Sequence, residues 1–73
     1  MSLISSAPHG SQAATIALVT EDVYSVMTDR ETLGFVQKVG SVYVALRGDV
    51  LSHAVEIGQT LDWDRALRMV RFR

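Results

Sequence analysis

The stretch ETLGFVQKVGSVYVALRG, residues 31–48, decides the fold. Two runs rich in β-branched and aromatic residues flank Gly40-Ser41. Glycine at the first position of a two-residue loop suits a type II′ turn, because that position requires a positive φ. With that loop, Val39 pairs with Val42, Gln37 with Val44, Phe35 with Leu46 and Leu33 with Gly48. Side chains alternate along a strand. One face of the hairpin is therefore Leu33, Phe35, Gln37, Val39, Val42, Val44 and Leu46, nearly all apolar. The other carries Gly34, Val36, Lys38, Tyr43, Ala45 and Arg47, a mixed set. A one-residue slip would exchange the faces, so the apolar set specifies the register. One dry face and one partly wet face indicate an antiparallel sheet.

Upstream, Ala13 to Val19 is a short apolar run that ends at Thr20-Glu21-Asp22. Its Ile16 and Val19 favour a strand. Val23 to Thr28 reads as the next strand, with Tyr24, Val26 and Thr28 on one side. Asp29-Arg30-Glu31 is a polar turn into the hairpin. Residues 1–12, rich in Ser with a Pro and a Gly, read as a flexible leader. The remaining residues, 13–73, form a single small domain.

Downstream, residues 50–57 fit two periods. Val50, Leu51, Ala54 and Val55 have helical spacing, and Leu51, His53, Val55 and Ile57 have strand spacing. The shortness of the run and the Gly48-Asp49 turn pair favour a strand over about Ser52–Ile57, ended by Gly58. The last segment is helical. Trp63, Ala66, Leu67 and Val70 follow i, i+3, i+4, i+7 and make an apolar stripe. Asp62 is placed as N-cap, with Thr60 competing, and Leu61 and Ala66 are spaced as a hydrophobic staple. The helix is expected to lay Trp63, Leu67 and Val70 on the apolar hairpin face. The fold class is α+β: an antiparallel meander of four or five strands with one C-terminal helix on one face.

Composition narrows the chemistry. The 73 residues include no cysteine, so there is no disulfide framework and no thiolate metal site. A chain this short has a marginal core, which favours a homodimer or other homo-oligomer. The net charge of −1 argues against general nucleic-acid or anionic-membrane binding. No apolar run is long enough to span a membrane, and no secretory signal opens the sequence, so the expected compartment is the cytoplasm. His53 is the one histidine inside an expected element, and no second histidine stands at ligand spacing. Asp62 and Asp64 would not share a helix face, and capping and first-turn electrostatics account for them. No nucleophile elbow, dinucleotide fingerprint or phosphate-binding glycine loop is present. No catalytic residue, metal or cofactor is assigned.

The charges are uneven. Arg65, Arg68, Arg71 and Arg73 lie in the last nine residues without an acid among them. Such a cluster suits phosphates or an acidic partner. It also suits a helix C-terminus, where cations are favoured. On the expected face away from the helix, Tyr24 and Tyr43 with Val26, Val36 and Ala45 would make a semi-apolar surface with two aromatic anchors, a pattern of partner sites.

The segment Gly58-Gln59-Thr60-Leu61-Asp62-Trp63-Asp64, following the hairpin, resembles short uncharacterised proteins of actinobacterial type. In those a strand meander ends in a helix that starts Gly-Gln-Ser/Thr-Leu-Asp-Trp-Asp. The resemblance covers about residues 22–70 and implies the meander-plus-helix fold without an activity. The same order is similar to antitoxins of the HicB type, whose Pro-Asp-x-Pro-Gly segment is absent here. The leading functional expectation is a non-enzymatic interaction or self-association module using Tyr24, Tyr43 and the C-terminal arginines. An antitoxin-like nucleic-acid accessory using Arg65, Arg68, Arg71 and Arg73 is the second. A small ligand binder or enzyme centred on His53 is the third.

Overall fold

A computed structural model describes residues 14–72. The leader and Arg73 lie outside the described residues. The hairpin forms in the expected register. Strands β3 (Thr32–Val39) and β4 (Val42–Arg47) pair antiparallel with Val39 opposite Val42, Gln37 opposite Val44 and Phe35 opposite Leu46. Gly40 has φ 63°, the positive value its loop position demands.

Strands β1 (Thr15–Thr20) and β2 (Val23–Met27) extend the meander on one side, and β5 (Val55–Thr60) extends it on the other. The sheet is five-stranded and antiparallel, in the order β1-β2-β3-β4-β5. The turn into β3 is organised by Thr28, whose hydroxyl oxygen accepts from the amides of Arg30 and Glu31, 3.2 Å each. Between β4 and β5 the chain makes one 3₁₀ turn, Leu51–His53. Both periods of residues 50–57 are thus expressed in succession. The strand lies later than expected, and Gly58 does not end it. Gly58 sits within β5 opposite Ala45, beside a bulge that leaves Ile57 unpaired in the register.

The C-terminal helix α1 (Trp63–Arg71) packs on β3, β4 and β5 and touches β2. Asp62 occupies the N-cap position, but its carboxylate makes no capping hydrogen bond. The Thr60 hydroxyl instead accepts from the Asp62 amide at 3.1 Å. Leu61 is 73% exposed, so the expected staple with Ala66 does not form.

The helix covers the face opposite to the one expected. The buried cluster is Val26, Val36 and Ala45 from the sheet with Ala66 and Val70 from α1. Trp63 sits edge-on to both tyrosines, with centroids 4.9 Å from Tyr24 and 5.5 Å from Tyr43. The reason is shape. Across the strands run Tyr24, Val36, Ala45 and Gly58, each opposite the next. Side-chain size falls along that row and makes a trough for the helix. Gly34 completes it. A methyl at Gly34 would run into the Leu46 carbonyl oxygen and come within 2.8 Å of Val70 Cγ1. A methyl at Gly58 would run into Met69 Cε.

The other face is apolar, as its residues require, but is not where α1 lies. Val23, Phe35 and Val44 are buried there, together with Ser25, whose hydroxyl donates to the Ala17 carbonyl at 3.3 Å.

Candidate interaction groove and sheet edge

Placing the helix on the mixed face brings the end of β4 beside the end of α1. Arg47, the last residue of β4, reaches under the helix terminus. Its Nη2 donates to the Met69 carbonyl at 2.8 Å and to the Phe72 carbonyl at 3.0 Å. Carbonyls at a helix C-terminus have no partner within the helix and carry partial negative charge. A guanidinium therefore satisfies them and holds the last turn to the sheet.

Around this contact an open groove of about 680 Å³ is lined by Arg47, Ile57, Arg65, Arg68, Met69 and Phe72. Each lining residue has a local cause. The β5 bulge frees Ile57. Gly58 leaves room for Met69. Arg65 and Arg68 stand one helical turn apart, so they share a side of α1. Phe72 follows the helix and is 57% exposed. The Arg71 guanidinium lies 5.2 Å from the Phe72 ring centroid, a cation–π contact. Arg65 and Arg68 are exposed, and their guanidinium groups have no hydrogen-bond or ion-pair partner among the described residues. Asp64 and Arg68 stand at i, i+4 spacing but form no ion pair.

The arginine cluster was thus legible in part. Arg65 and Arg68 converge, Arg71 stands beside Phe72, and Arg73 is outside the described residues. No local sequence signal marks Arg47, Ile57, Met69 or Phe72 as groove residues. Arg47 and the helix end become neighbours only once the helix is assigned to the Tyr24/Tyr43 face. Those tyrosines are themselves a correction. They are half-buried beneath Trp63 and do not form an uncovered surface. His53 is exposed on the 3₁₀ turn and is not among the groove residues.

A second exposed feature is the outer edge of β1. Its sequence, TIALVT, has no charge and no proline, and five of its six residues are exposed. The main contacts of α1 are with β2 to β5, and on β1 Leu18 is 60% exposed and Val19 49% exposed. A bare, uncharged edge strand is a template for pairing with another strand. The opposite edge, β5, carries Glu56, a charge that disfavours such pairing, whereas a register shift occurs at both edges, between Leu18 and Thr20 in β1 and at Ile57 in β5.

Among the described residues no group of three or more His, Asp or Glu is placed to hold a metal ion. Nor is any helix among the described residues long and apolar enough to cross a membrane. Set against models of known protein families, curated proteins and solved structures, the chain matches none.

Proposed function

We propose that this protein is a non-enzymatic interaction module of the cytoplasm that associates with itself through the outer edge of β1. The observation that carries the reading is the uncharged edge TIALVT with its exposed Ile16, Leu18 and Val19. Two such edges meeting antiparallel about a two-fold axis would satisfy each other's free backbone groups. Ile16 and Leu18 lie on the helix side of the strand, opposite Val26 and Tyr24. Pairing would bring them beside the same residues of a second copy and lengthen the buried layer. The small core of a 73-residue chain gives such an extension energetic value.

Sedimentation equilibrium with the Leu18→Lys variant tests this. The expected result is loss of the edge contact with an unchanged far-ultraviolet circular dichroism spectrum, because Leu18 is already in water. A wild-type protein that remains monomeric at its solubility limit overturns the reading.

A second reading, a nucleic-acid accessory, is favoured by Arg65 and Arg68, both without an acid partner among the described residues, beside Arg47. It requires affinity that falls steeply with salt. The apolar share of the groove, Ile57, Met69 and Phe72, suits a polypeptide better than a phosphate backbone.

A further inference from the structure

We infer that the arginine groove receives the Leu61–Asp64 turn of a second copy of this chain. The inference rests on the self-association reading but uses a surface separate from the β1 edge.

The groove states its own requirements. It presents Arg65 and Arg68, which have no acid partner among the described residues, together with Ile57, Met69 and an exposed Phe72. A matching occupant must combine carboxylates with a protruding apolar side chain. Guanidinium–carboxylate pairs of this kind are directional and, when both groups are shielded from water, strong.

The Leu61–Asp64 turn has that composition. Leu61, at 73%, is the most exposed large apolar side chain of the described residues. Asp62 and Asp64 flank Trp63, both exposed, and neither carboxylate has a partner among the described residues. Asp62 is informative because it holds the N-cap position without making the capping bond. Thr60 shapes the turn instead, which leaves the Asp62 carboxylate available to an outside donor. Other acidic stretches fit less well. Asp49 beside Val50 and Leu51 offers a single carboxylate, and Glu21-Asp22 follows Val19, which belongs to the β1 edge.

The turn leads into α1, and the groove runs along the helix from its third residue, Arg65, to Phe72 just past its end. Two copies with their α1 helices antiparallel would exchange both contacts at once. Each would put the acidic turn before its helix against the Arg65/Arg68 side of the other's helix, an arrangement that closes on itself. A parallel alignment in register would set acid on acid and arginine on arginine, which costs energy. With the β1 edge intact as well, each copy has two separate self-complementary contacts, and assembly passes beyond the dimer.

Sedimentation of the full chain and its variants tests this, with circular dichroism as the check on folding. Wild-type protein is expected to assemble beyond a dimer. Leu18→Lys is expected to leave a dimer held by the groove. Adding Arg65→Glu and Arg68→Glu to Leu18→Lys is expected to give a monomer, and so is adding Asp62→Arg and Asp64→Arg. Mixing those two monomers is expected to restore a dimer, because each reversed charge then meets its opposite. A monomeric Leu18→Lys protein would refute the groove contact while leaving the edge reading intact. A Leu18→Lys protein as large as wild type would refute the edge instead. A dimer that survives either charge reversal, or two monomers that fail to pair when mixed, would also overturn the inference. Leu61→Ser in the Leu18→Lys background repeats the test without altering charge and is expected to weaken the dimer.

Discussion

The two faces of the sheet differ in what makes them dry. On the face under α1, Val26, Val36 and Ala45 are completely buried, and none is large. On the other face Phe35 lies between Ser25 and Leu46 in one cross-strand row, and Val44 lies beside Gln37 in the next. The residues there are larger and slightly less buried, Phe35 at 6%. Counting apolar residues favours the second face as the seat of the helix. Measuring shape favours the first, where small side chains let a helix backbone approach. The difference teaches that apolarity decides which strand faces exclude water, whereas side-chain volume decides which of them a helix occupies.

The comparison breaks most visibly at Phe35 and Trp63. Phe35→Ala removes a large buried side chain from the face without the helix and is expected to cost about 3–5 kcal/mol. Trp63→Ala removes a half-buried ring and its two aromatic edge contacts, at about 2–3 kcal/mol. Urea unfolding measures both. The chain has one tryptophan, so fluorescence of the Phe35→Ala protein reports the helix side while circular dichroism reports the whole sheet. Coincident transitions at a lowered midpoint are expected, since both faces share the same strands. A Phe35→Ala protein as stable as wild type would mean that the second face contributes little to folding.

A smaller effect separates two glycines on the helix face. Gly34→Ala would press a methyl on the Leu46 backbone carbonyl and on Val70. Neither can move far, and about 1–3 kcal/mol of destabilisation is expected. Gly58→Ala meets only the terminal methyl of Met69, with its sulfur 3.7 Å away. That flexible chain can change rotamer, and the cost should stay below about 1 kcal/mol. Thermal denaturation of both variants ranks them. The reverse order would argue that the trough closes at β5 and not at β3.

These substitutions also mark where sequence reasoning ends. Gly40-Ser41 and the alternating valines are local signals, and they specified the hairpin and its register without help from the rest of the chain. The stripe of Trp63, Ala66, Leu67 and Val70 specified the helix for the same reason. The choice of face is not local. It depends on Gly34, Ala45 and Gly58, from three strands, lining one trough. Gly58 in particular reads as a strand terminator until the strand beside it is in place. The groove inherits that limitation. Arg65 and Arg68 were visible as a cluster, but Arg47 joins them only through a helix on the correct side.

The smallest effect expected on folding is at Leu61. Sequence spacing places it as a staple against Ala66, a contact that would make Leu61→Ser destabilising. The side chain is instead 73% exposed while Ala66 is fully buried. Leu61→Ser should therefore change the unfolding midpoint of the Leu18→Lys protein by no more than the equivalent of about 0.5 kcal/mol, when measured dilute enough to be monomeric. Dilution matters because binding to a folded partner raises apparent stability by mass action. A loss well above that value in the monomer would restore the staple and remove Leu61 from the surface. A negligible loss sharpens the contrast between the buried side of α1 and its outer end. It would mean that the large apolar side chain at Leu61 contributes nothing to folding of the single chain.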